Sequence, residues 1–222
     1  MRNNNQLNVS EKVAKILLQI DAVSFRFNPP FTYTSGLKSP IYLDNRIIMS
    51  YPKERKQIID YYVLTIKKII GLENVDYISG TATAAIPQAS WVAGRLDLPM
   101  VYVRPSTKSY GKGNKLEGHL KKGVNVVIIE DHISTATSVV NNAITLRECG
   151  GKVTYCVATT TYETEQSKLI LKENKIKVLA LTTGGDIVQQ ALKVGLLKPK
   201  EKEIVDLWLK DSSTWGKRMG FE

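Results

Sequence analysis

Two adjacent acidic residues, Glu130 and Asp131, are followed by a run of hydroxyl residues in the stretch 125–151. The apolar run 126–129 comes directly before them and is typical of a strand buried on both faces. After them, an apolar helical pattern runs to a stop at a pair of glycines. The hydroxyl residues that open this predicted helix are Ser134, Thr135, Thr137 and Ser138.

Acids at a strand end and hydroxyls at a helix start suit different parts of one ligand. In open α/β sheets, ligands bind at the carboxyl ends of the strands, and a turn that opens a helix offers free N–H groups to an anion. Carboxylates repel a phosphate, so Glu130 and Asp131 suit sugar hydroxyls or a magnesium ion held through water. The stretch therefore predicts a sugar phosphate ligand, although the same pattern also occurs in α/β proteins that bind nothing there.

The length and composition favour a soluble α/β domain, either alone or with a small appendage. The chain has 222 residues, of which 43% are hydrophobic and 23% are charged, and these values fit a globular domain with a sizeable core. No apolar run approaches the ~20 residues of a membrane span, and the N-terminus is too polar for a signal peptide. We therefore expect a cytoplasmic protein with no membrane partner.

The formal net charge of +10 limits the kinds of partner. Such a charge fits nucleic acid, a membrane surface or an anionic small molecule. The basic residues are spread along the chain, and no aromatic-rich nucleic-acid motif accompanies them. A polyanionic metabolite is therefore the expected partner, and nucleic acid is not.

Strand and helix patterns alternate along the chain after residue 50. Helices are predicted over 10–23, 52–70, 89–96, 166–173, 186–194 and 198–210, and strands over 77–79, 100–103, 126–129, 153–158 and 177–181. This alternation predicts a parallel, doubly wound sheet. The C-terminal stretch 212–222 is predicted to be a surface tail.

A second kind of structure is predicted over 25–46. Two prolines exclude helix there, and short strand-like runs at 31–33 and 41–43 flank a turn of hydroxyl and glycine residues, Thr34, Ser35 and Gly36. The stretch fits either a small cover over a ligand pocket or a plain surface hairpin. Polar residues at 44–46 are expected to tie it to the main domain.

Two further stretches offer groups to anions. The small-residue turn 80–87 follows a predicted strand, and its N–H groups suit a second anion such as pyrophosphate. The loop 104–118 carries cations among glycines, which lower the cost of opening and closing. Such cations can neutralise a leaving group, although a solvated basic loop is the alternative. Taken with the acids, these stretches fit a substrate that bears phosphate, ribose and pyrophosphate.

Four motifs in order resemble the type I phosphoribosyltransferases and, among them, the orotate phosphoribosyltransferases. They are FTYTSGLKSPIYLDNR, GTATAAIP, YVRPSTKSYGKGNKLEG and VVIIEDHISTATS, and the resemblance spans about 31–185. It implies a single domain over 1–222. The core, about 51–195, would form a mostly parallel five-stranded sheet flanked by helices. A small hood would come from about 1–50 with the C-terminal segment.

The resemblance also implies a reaction and partners. Orotate and phosphoribosyl pyrophosphate (PRPP) would give orotidine 5'-phosphate and pyrophosphate, with Mg²⁺, in de novo pyrimidine (UMP) biosynthesis. The protein would be a homodimer with shared active sites, in which the basic loop reaches the neighbouring subunit.

Family positions assign expected roles to individual residues. Lys108, Arg104 and Asp131 would be catalytic, and orotate would be bound by Ser134, Ser35 and Gly36. No residue would ligate a metal directly, because Mg²⁺ would be held through substrate and water near Glu130 and Asp131. The residues expected to bind PRPP are Arg104, Lys108, Tyr110, Glu130, Asp131, His132, Ile133, Ser134, Thr135, Ala136, Thr137, Ser138, Thr81, Ala82, Thr83 and Ala84.

Several departures from the family pattern bear on activity. Ala136 and Thr137 stand where the phosphate loop usually has two glycines, and alanine there is expected to cost about 1 kcal/mol or more. Pro105 and Tyr110 replace a lysine and a histidine of the basic loop. The arginine that some members use to hold orotate has no match around 160–162. A relative that binds a nucleotide or PRPP without turnover, as a sensor or regulator, therefore stands as the alternative to an enzyme.

The two histidines of the chain are weak candidates for acid–base chemistry. His119 follows the basic loop and is expected to be exposed to solvent. His132 follows the acidic pair, and a surface or loop position is expected for it.

Overall fold

The computed structural model of the chain describes residues 4–33, 35–104 and 115–221. The strands are β1 (Val23–Phe25), β2 (Phe31–Thr32), β3 (Lys38–Ser39), β4 (Ile41–Leu43), β5 (Tyr77–Thr81), β6 (Met100–Val103), β7 (Leu116–Glu117), β8 (Asn125–Ile133), β9 (Lys152–Thr161) and β10 (Lys177–Thr183). The α-helices are α1 (Asn4–Gln19), α2 (Pro52–Thr65), α3 (Ile86–Leu96), α4 (Thr137–Glu148), α5 (Glu165–Glu173), α6 (Gly184–Lys193), α7 (Pro199–Lys210) and α8 (Ser212–Arg218).

Within the described residues, the central sheet has six strands in the order β10-β9-β8-β5-β6-β7. The first five are mutually parallel, as the alternation of strands and helices predicts. The expected count of five is wrong, because β7 adds an antiparallel edge strand beside β6. This strand has only two residues, Leu116 and Glu117, which is too short to give an alternating pattern in the sequence.

The centre of the sheet is buried on both faces, as the apolar run of β8 predicts. Val127 and Ile129 join one hydrophobic cluster, which extends to α1, α2 and α3. Val126 and Ile128 join a second cluster on the opposite face, together with residues of α4. Successive side chains of a strand point to opposite faces, so helices on both sides cover this strand.

Both ends of the chain differ from the sequence-based expectation. The first helix begins at Asn4 and ends at Gln19, whereas the prediction was 10–23, and Val23 starts a strand. The predicted surface tail is also wrong, because it forms α8 and buries Trp215, which is 1% exposed. A single tryptophan within the mostly polar stretch 212–222 does not produce a pattern that predicts a buried helix.

The hood consists of two small antiparallel pairs, β1 with β4 and β2 with β3. Helix α7 anchors the hood, because the Trp208 indole Nε1 donates a hydrogen bond of 2.8 Å to the carbonyl of Lys38. The same indole packs edge-on against the rings of Tyr33 and Tyr162. Helix α7 therefore contacts the hood through Trp208. Within the described ranges, no helix combines the length and apolar character needed to cross a membrane.

The helix predicted over 52–70 forms α2 and continues as a π-helical turn to Ile70. It places Tyr62 under the carboxyl end of the sheet, where the hydroxyl donates to the Glu130 carbonyl at 2.7 Å. The same hydroxyl lies 2.7 Å from Thr159 Oγ1. The side chain is fully buried, so its loss would leave a buried acceptor unpaired.

Replacing Tyr62 with Phe is expected to lower the free energy of unfolding by about 1–3 kcal/mol, because a buried carbonyl loses its partner. Denaturant unfolding measures the change. Tyr61→Phe is the matched control on the half-buried neighbouring position, and a change within about 0.5 kcal/mol is expected there. Equal losses for the two variants would contradict this account.

Candidate active site

The predicted site residues converge at the carboxyl edge of the parallel sheet. The register pairs Gly80 of β5 with Ile129 of β8, and Thr81 of β5 with Val103 of β6. The residues that follow each of these strands therefore lie side by side, at the edge where such sheets bind ligands. The acidic pair, the small-residue turn and Arg104 are brought together in this way.

The acidic pair lies inside β8, which continues past it to Ile133. Glu130 is 4% exposed and Asp131 is partly buried. The backbone N–H of Asp131 donates to Glu130 Oε1 at 3.0 Å, and the buried Oε2 has no partner among the described residues. An unpaired buried carboxylate oxygen is costly, and a bound hydroxyl or cation would satisfy it.

The protonation of this pair follows from its burial. Burial raises the pKa of Glu130 well above its usual value, and the nearby Asp131 charge adds to the rise. Burial also raises the pKa of Asp131, although the backbone N–H of His132 and the charge of Arg46 oppose that shift. Buried carboxyl groups with raised pKa values cluster at functional sites, where a ligand can neutralise them or hydrogen-bond to them.

The hydroxyl-rich turn forms an open helix N-terminus. Ser134 is half-buried, and the side chains of Thr135, Thr137 and Ser138 are exposed. The first N–H groups of a helix have no partner within it, and among the described residues no side chain caps α4. These N–H groups and hydroxyls together form an anion-binding geometry.

Ala136 occupies the left-handed region that the departure from glycine predicts, with φ of 67° and ψ of 0°. Its side chain is 4% exposed and packs in the cluster that includes Val139 and Val140. A non-glycine residue in this region costs roughly 1–2 kcal/mol, while burial of its methyl group recovers roughly 0.8 kcal/mol. The turn therefore holds an alanine in a backbone conformation that favours glycine.

Replacing Ala136 with Val is expected to lower the free energy of unfolding by about 2–3 kcal/mol, because a β-branched residue is a steric outlier at positive φ and the site is already packed. Ala136→Gly should change it by less than about 1 kcal/mol, since strain relief and lost methyl burial oppose each other. Thermal unfolding of the two variants measures the difference. A valine variant as stable as the glycine variant would contradict the assigned backbone strain.

The turn after β5 lies beside the turn that opens α4. Thr81 is buried, Ala82 and Ala84 are half-buried, and Thr83 is exposed. Asn142 in the body of α4 ties that helix to the end of β5, because its Nδ2 donates to Thr81 Oγ1 at 3.0 Å. The Ala82 N–H reaches the Val103 carbonyl at 3.4 Å, which places this turn against the end of β6.

Arg104 directly follows β6 and is fixed at its main chain. Its N–H donates to the Lys115 carbonyl at 2.8 Å, and its guanidinium lies 3.4 Å from Glu117 Oε1. The side chain is half-buried. The main chain of Arg104 follows β6 at the carboxyl edge, next to the small-residue turn, while its guanidinium contacts Glu117 of the edge strand β7. Lys108 and Tyr110, with Pro105, lie outside the described residues.

The hood approaches the site through its hairpin. Ser35 and Gly36 are exposed in the turn between β2 and β3, and Gly36 has φ of 86°. The Tyr33 hydroxyl donates to the Ile41 carbonyl at 2.8 Å and lies 2.9 Å from the Tyr162 hydroxyl just after β9. The hairpin is therefore held against the end of β9 by a pair of phenols.

His132 is not a surface or loop residue, and that expectation is wrong. It lies within β8 and is half-buried, with its ring packed edge-on against Tyr162 at 4.4 Å. Its Nδ1 lies 2.8 Å from Thr160 Oγ1, and the buried Nε2 has no partner among the described residues. Burial lowers the pKa of His132 to about 4, so the ring is neutral at pH 7. His119 is exposed, as expected.

Sequence reasoning missed three side chains that hold the site together. Tyr62 and Asn142 gave no signal beyond their helical spacing, and Thr160 was noted only as the occupant of an expected arginine region. Asn45 had been expected to tie the hood to the main domain, and it donates to the Asp131 carbonyl at 2.7 Å. A groove of about 1470 Å³ along β10 is lined by none of the predicted site residues.

Glu130 and Asp131 offer oxygen donors of the kind that Mg²⁺ binds. Within the described ranges, no group of three or more His, Cys, Asp or Glu side chains is arranged to hold a metal ion. Mg²⁺ typically binds one or two carboxylates with waters and substrate phosphates. Glu130, with its unpaired buried oxygen, and Asp131 supply that donor set.

Known proteins resemble this chain over almost its whole length. None of the protein-family models matches it. The orotate phosphoribosyltransferase of Coxiella burnetii is 41% identical over 209 residues, which are 94% of this chain and 99% of the relative. The enzyme of the same name from Fusobacterium nucleatum is 45% identical over 206 residues, 92% of this chain and 96% of the relative.

Solved structures share the fold. UMP synthase of Leishmania donovani superposes with a TM-score of 0.76 at 27% identity, covering 90% of this chain and 42% of that chain. Orotate phosphoribosyltransferase of Aeropyrum pernix superposes with a TM-score of 0.72 at 27% identity, covering 84% of this chain and 99% of that chain. By its sequence identity to these relatives over almost its whole length, this chain belongs to the orotate phosphoribosyltransferase family.

Proposed function

We propose that the protein transfers the phosphoribosyl group of PRPP to orotate and releases pyrophosphate, a step of de novo pyrimidine biosynthesis. One observation carries the proposal: a buried acidic pair lies between an uncapped helix start and a small-residue turn at one sheet edge. Sugar hydroxyls, a terminal phosphate and a second anion would each meet a suitable group there.

In this proposal, Glu130 and Asp131 bind the ribose hydroxyls, and the buried Glu130 Oε2, which has no partner among the described residues, is one of the acceptors. The 5'-phosphate accepts hydrogen bonds from the N–H groups and hydroxyls of the turn from His132 to Ser138. Carboxylates beside the ring also stabilise positive charge on the sugar. An oxocarbenium-like transition state at the anomeric carbon would gain from that charge.

Pyrophosphate leaves from the same carbon, and its negative charge grows as the bond breaks. The N–H groups of the turn from Thr81 to Ala84 would bind it, and Arg104 at the rim would neutralise it. Lys108 and Tyr110 are proposed to act on the same group from the basic loop. Cations aimed at a leaving group are a large source of rate enhancement.

Orotate is proposed to bind between the hood and the acidic pair. Ser35 and Gly36 present hydroxyl and N–H donors from the hairpin, and Ser134 faces it from the phosphate turn. Orotate is already anionic, so no strong general base is needed. The neutral His132 is consistent with this, because its low pKa makes it a weak base. Catalysis would then consist mainly of positioning and electrostatic stabilisation.

Mg²⁺ is proposed as the cofactor, held near Glu130 and Asp131 through water and through the oxygens of PRPP. When bound, it would supply positive charge that stabilises the departing pyrophosphate. We also propose that the protein acts in the cytoplasm as a homodimer in which the basic loop of each subunit reaches the partner's site.

The test is an assay with orotate, PRPP and Mg²⁺ that follows the loss of orotate absorbance. The proposal predicts turnover that requires all three components. Faster reaction with uracil or a purine than with orotate would contradict the assigned base. The strained Ala136 turn favours one alternative, a protein that binds PRPP or a nucleotide as a sensor. Calorimetric binding of PRPP with no turnover of any base would support that alternative.

A further inference from the structure

The main chain of the acidic pair is held by side chains from distant parts of the chain. Asn45, from the 3-10 turn that follows the hood, donates from Nδ2 to the Asp131 carbonyl and to Thr160 Oγ1, both at 2.7 Å. A carbonyl is an acceptor only, so the contact fixes which end of the amide faces it. Asn45 is 1% exposed and Thr160 is fully buried.

The Thr160 hydroxyl completes this network on the other side. It lies 3.3 Å from the Asp131 carbonyl and 2.8 Å from His132 Nδ1. It therefore contacts the residue that would bind ribose and the first residue of the turn that would bind phosphate. Asn45 and His132 meet at this single hydroxyl, which lies at the end of β9 next to β8.

We infer that Asn45 and Thr160 are positioning residues, which hold Asp131 and His132 in the geometry that PRPP requires. The inference rests on the proposed function. Supporting residues of this kind orient the groups that touch a substrate. Because Asn45 closely follows β4 of the hood, the same amide couples the hood to the main chain of the ribose-binding acids.

Two side chains of this network each have one buried polar atom without a partner in the described part of the chain. The buried Asn45 Oδ1 and His132 Nε2 both lack partners among the described residues. Buried polar groups in folded proteins are nearly always paired, and local violations concentrate at functional sites. In Asn45, Nδ2 is paired and Oδ1 is not; in His132, Nδ1 is paired and Nε2 is not. The paired atoms contact Asp131 and Thr160.

Thr160→Val tests the inference, because it removes the hydroxyl with little change in shape, whereas Thr160→Ser keeps it. We expect the valine variant to raise KM for PRPP about tenfold or more, with KM for orotate changed less than about twofold. The serine variant should restore KM for PRPP to within about threefold of wild type. Asn45→Ala should act in the same direction, and the double variant should show less than the product of the single effects.

Asn174→Ala is the matched control, because it removes a hydrogen bond of 2.8 Å that Asn174 Nδ2 donates to the Ile170 carbonyl at the end of α5. Its KM values should equal those of wild type. The inference is overturned if Thr160→Val lowers thermal stability but leaves KM for PRPP unchanged, or if the serine variant is as impaired as the valine variant.

The wild-type assay separates this result from the proposed function. If wild type turns over orotate, the KM values of the variants for PRPP test whether Asn45 and Thr160 are positioning residues. If wild type binds PRPP without turnover, the proposed reaction fails, and the same variants are compared by the Kd for PRPP, with the same tenfold loss expected. If wild type does neither, both proposals are overturned together.

Discussion

Replacing Asp131 with Asn is expected to lower kcat/KM about 10²- to 10³-fold, because the transition state loses a carboxylate beside the developing positive charge. The variant should not be less stable than wild type at neutral pH. Burial raises the pKa of Asp131, so the ionised group is held at a cost that an amide of the same shape avoids. The activity of Asp131→Asn should therefore be lower than that of wild type, while its free energy of unfolding at neutral pH should be equal or higher.

The pH dependence of stability gives an independent check. The raised pKa values of Glu130 and Asp131 mean that the folded state keeps protons that the unfolded chain has released. Stability of the ligand-free protein should therefore fall as pH rises above about 4, the usual carboxyl pKa, toward the raised values. Asp131→Asn should make this fall smaller. Denaturant unfolding across this pH range measures it, and an identical profile for both proteins would contradict the account.

Asp60→Asn is the control for Asp131→Asn. Asp60 is an exposed carboxylate that pairs with Arg95 at 2.6 Å on the surface. Such pairs contribute little to stability, so both turnover and the pH profile should match wild type. A loss of turnover in the control equal to that of Asp131→Asn would show that general charge, and not the site, is responsible.

Replacing Arg104 with Ala is expected to lower kcat about 10²- to 10³-fold, because the departing pyrophosphate loses a fixed cation at the rim of the site. The main chain there is held by the Arg104 N–H bond to the Lys115 carbonyl, which the substitution keeps. The half-buried guanidinium pairs only loosely with Glu117, at 3.4 Å. Stability should therefore change by less than about 1 kcal/mol.

Arg104→Lys should recover part of the loss, since it restores the charge without the planar fork that binds phosphate at two points. Arg95→Ala removes a surface arginine and changes the net charge by the same amount as Arg104→Ala. Its turnover should match that of wild type. Turnover of Arg104→Ala near that of Arg95→Ala would contradict a role for Arg104 at the leaving group.

The sequence predicts the central architecture because its signals there are local. The apolar run of β8 and the regular return of helices are properties of short segments, and both were found. The prediction ended β8 at Ile129, whereas the strand continues through polar residues to Ile133 because β9 pairs with it there. The edge strand β7 and the buried Trp215 depend on tertiary contacts, so no local pattern predicts them.

The site was predictable only in part for the same reason. The acids and the hydroxyl turn are adjacent in sequence, so their chemistry could be read directly. Asn45 and Thr160 are 115 positions apart and meet only in the folded chain. Tyr62 lies 68 positions from the carbonyl it holds. Spacing within one segment predicts the side chains proposed to touch the substrate. The side chains that hold them in place come from distant segments and have no signal in local spacing.

The most direct test of the central claim is a crystal structure of the protein soaked with PRPP and Mg²⁺. The account predicts ribose hydroxyls within hydrogen-bond distance of Glu130 and Asp131, with the 5'-phosphate on the N–H groups that open α4. Pyrophosphate should lie against the turn after β5 and beside Arg104. Ligand density at another place, with this crevice filled by side chains, would contradict it.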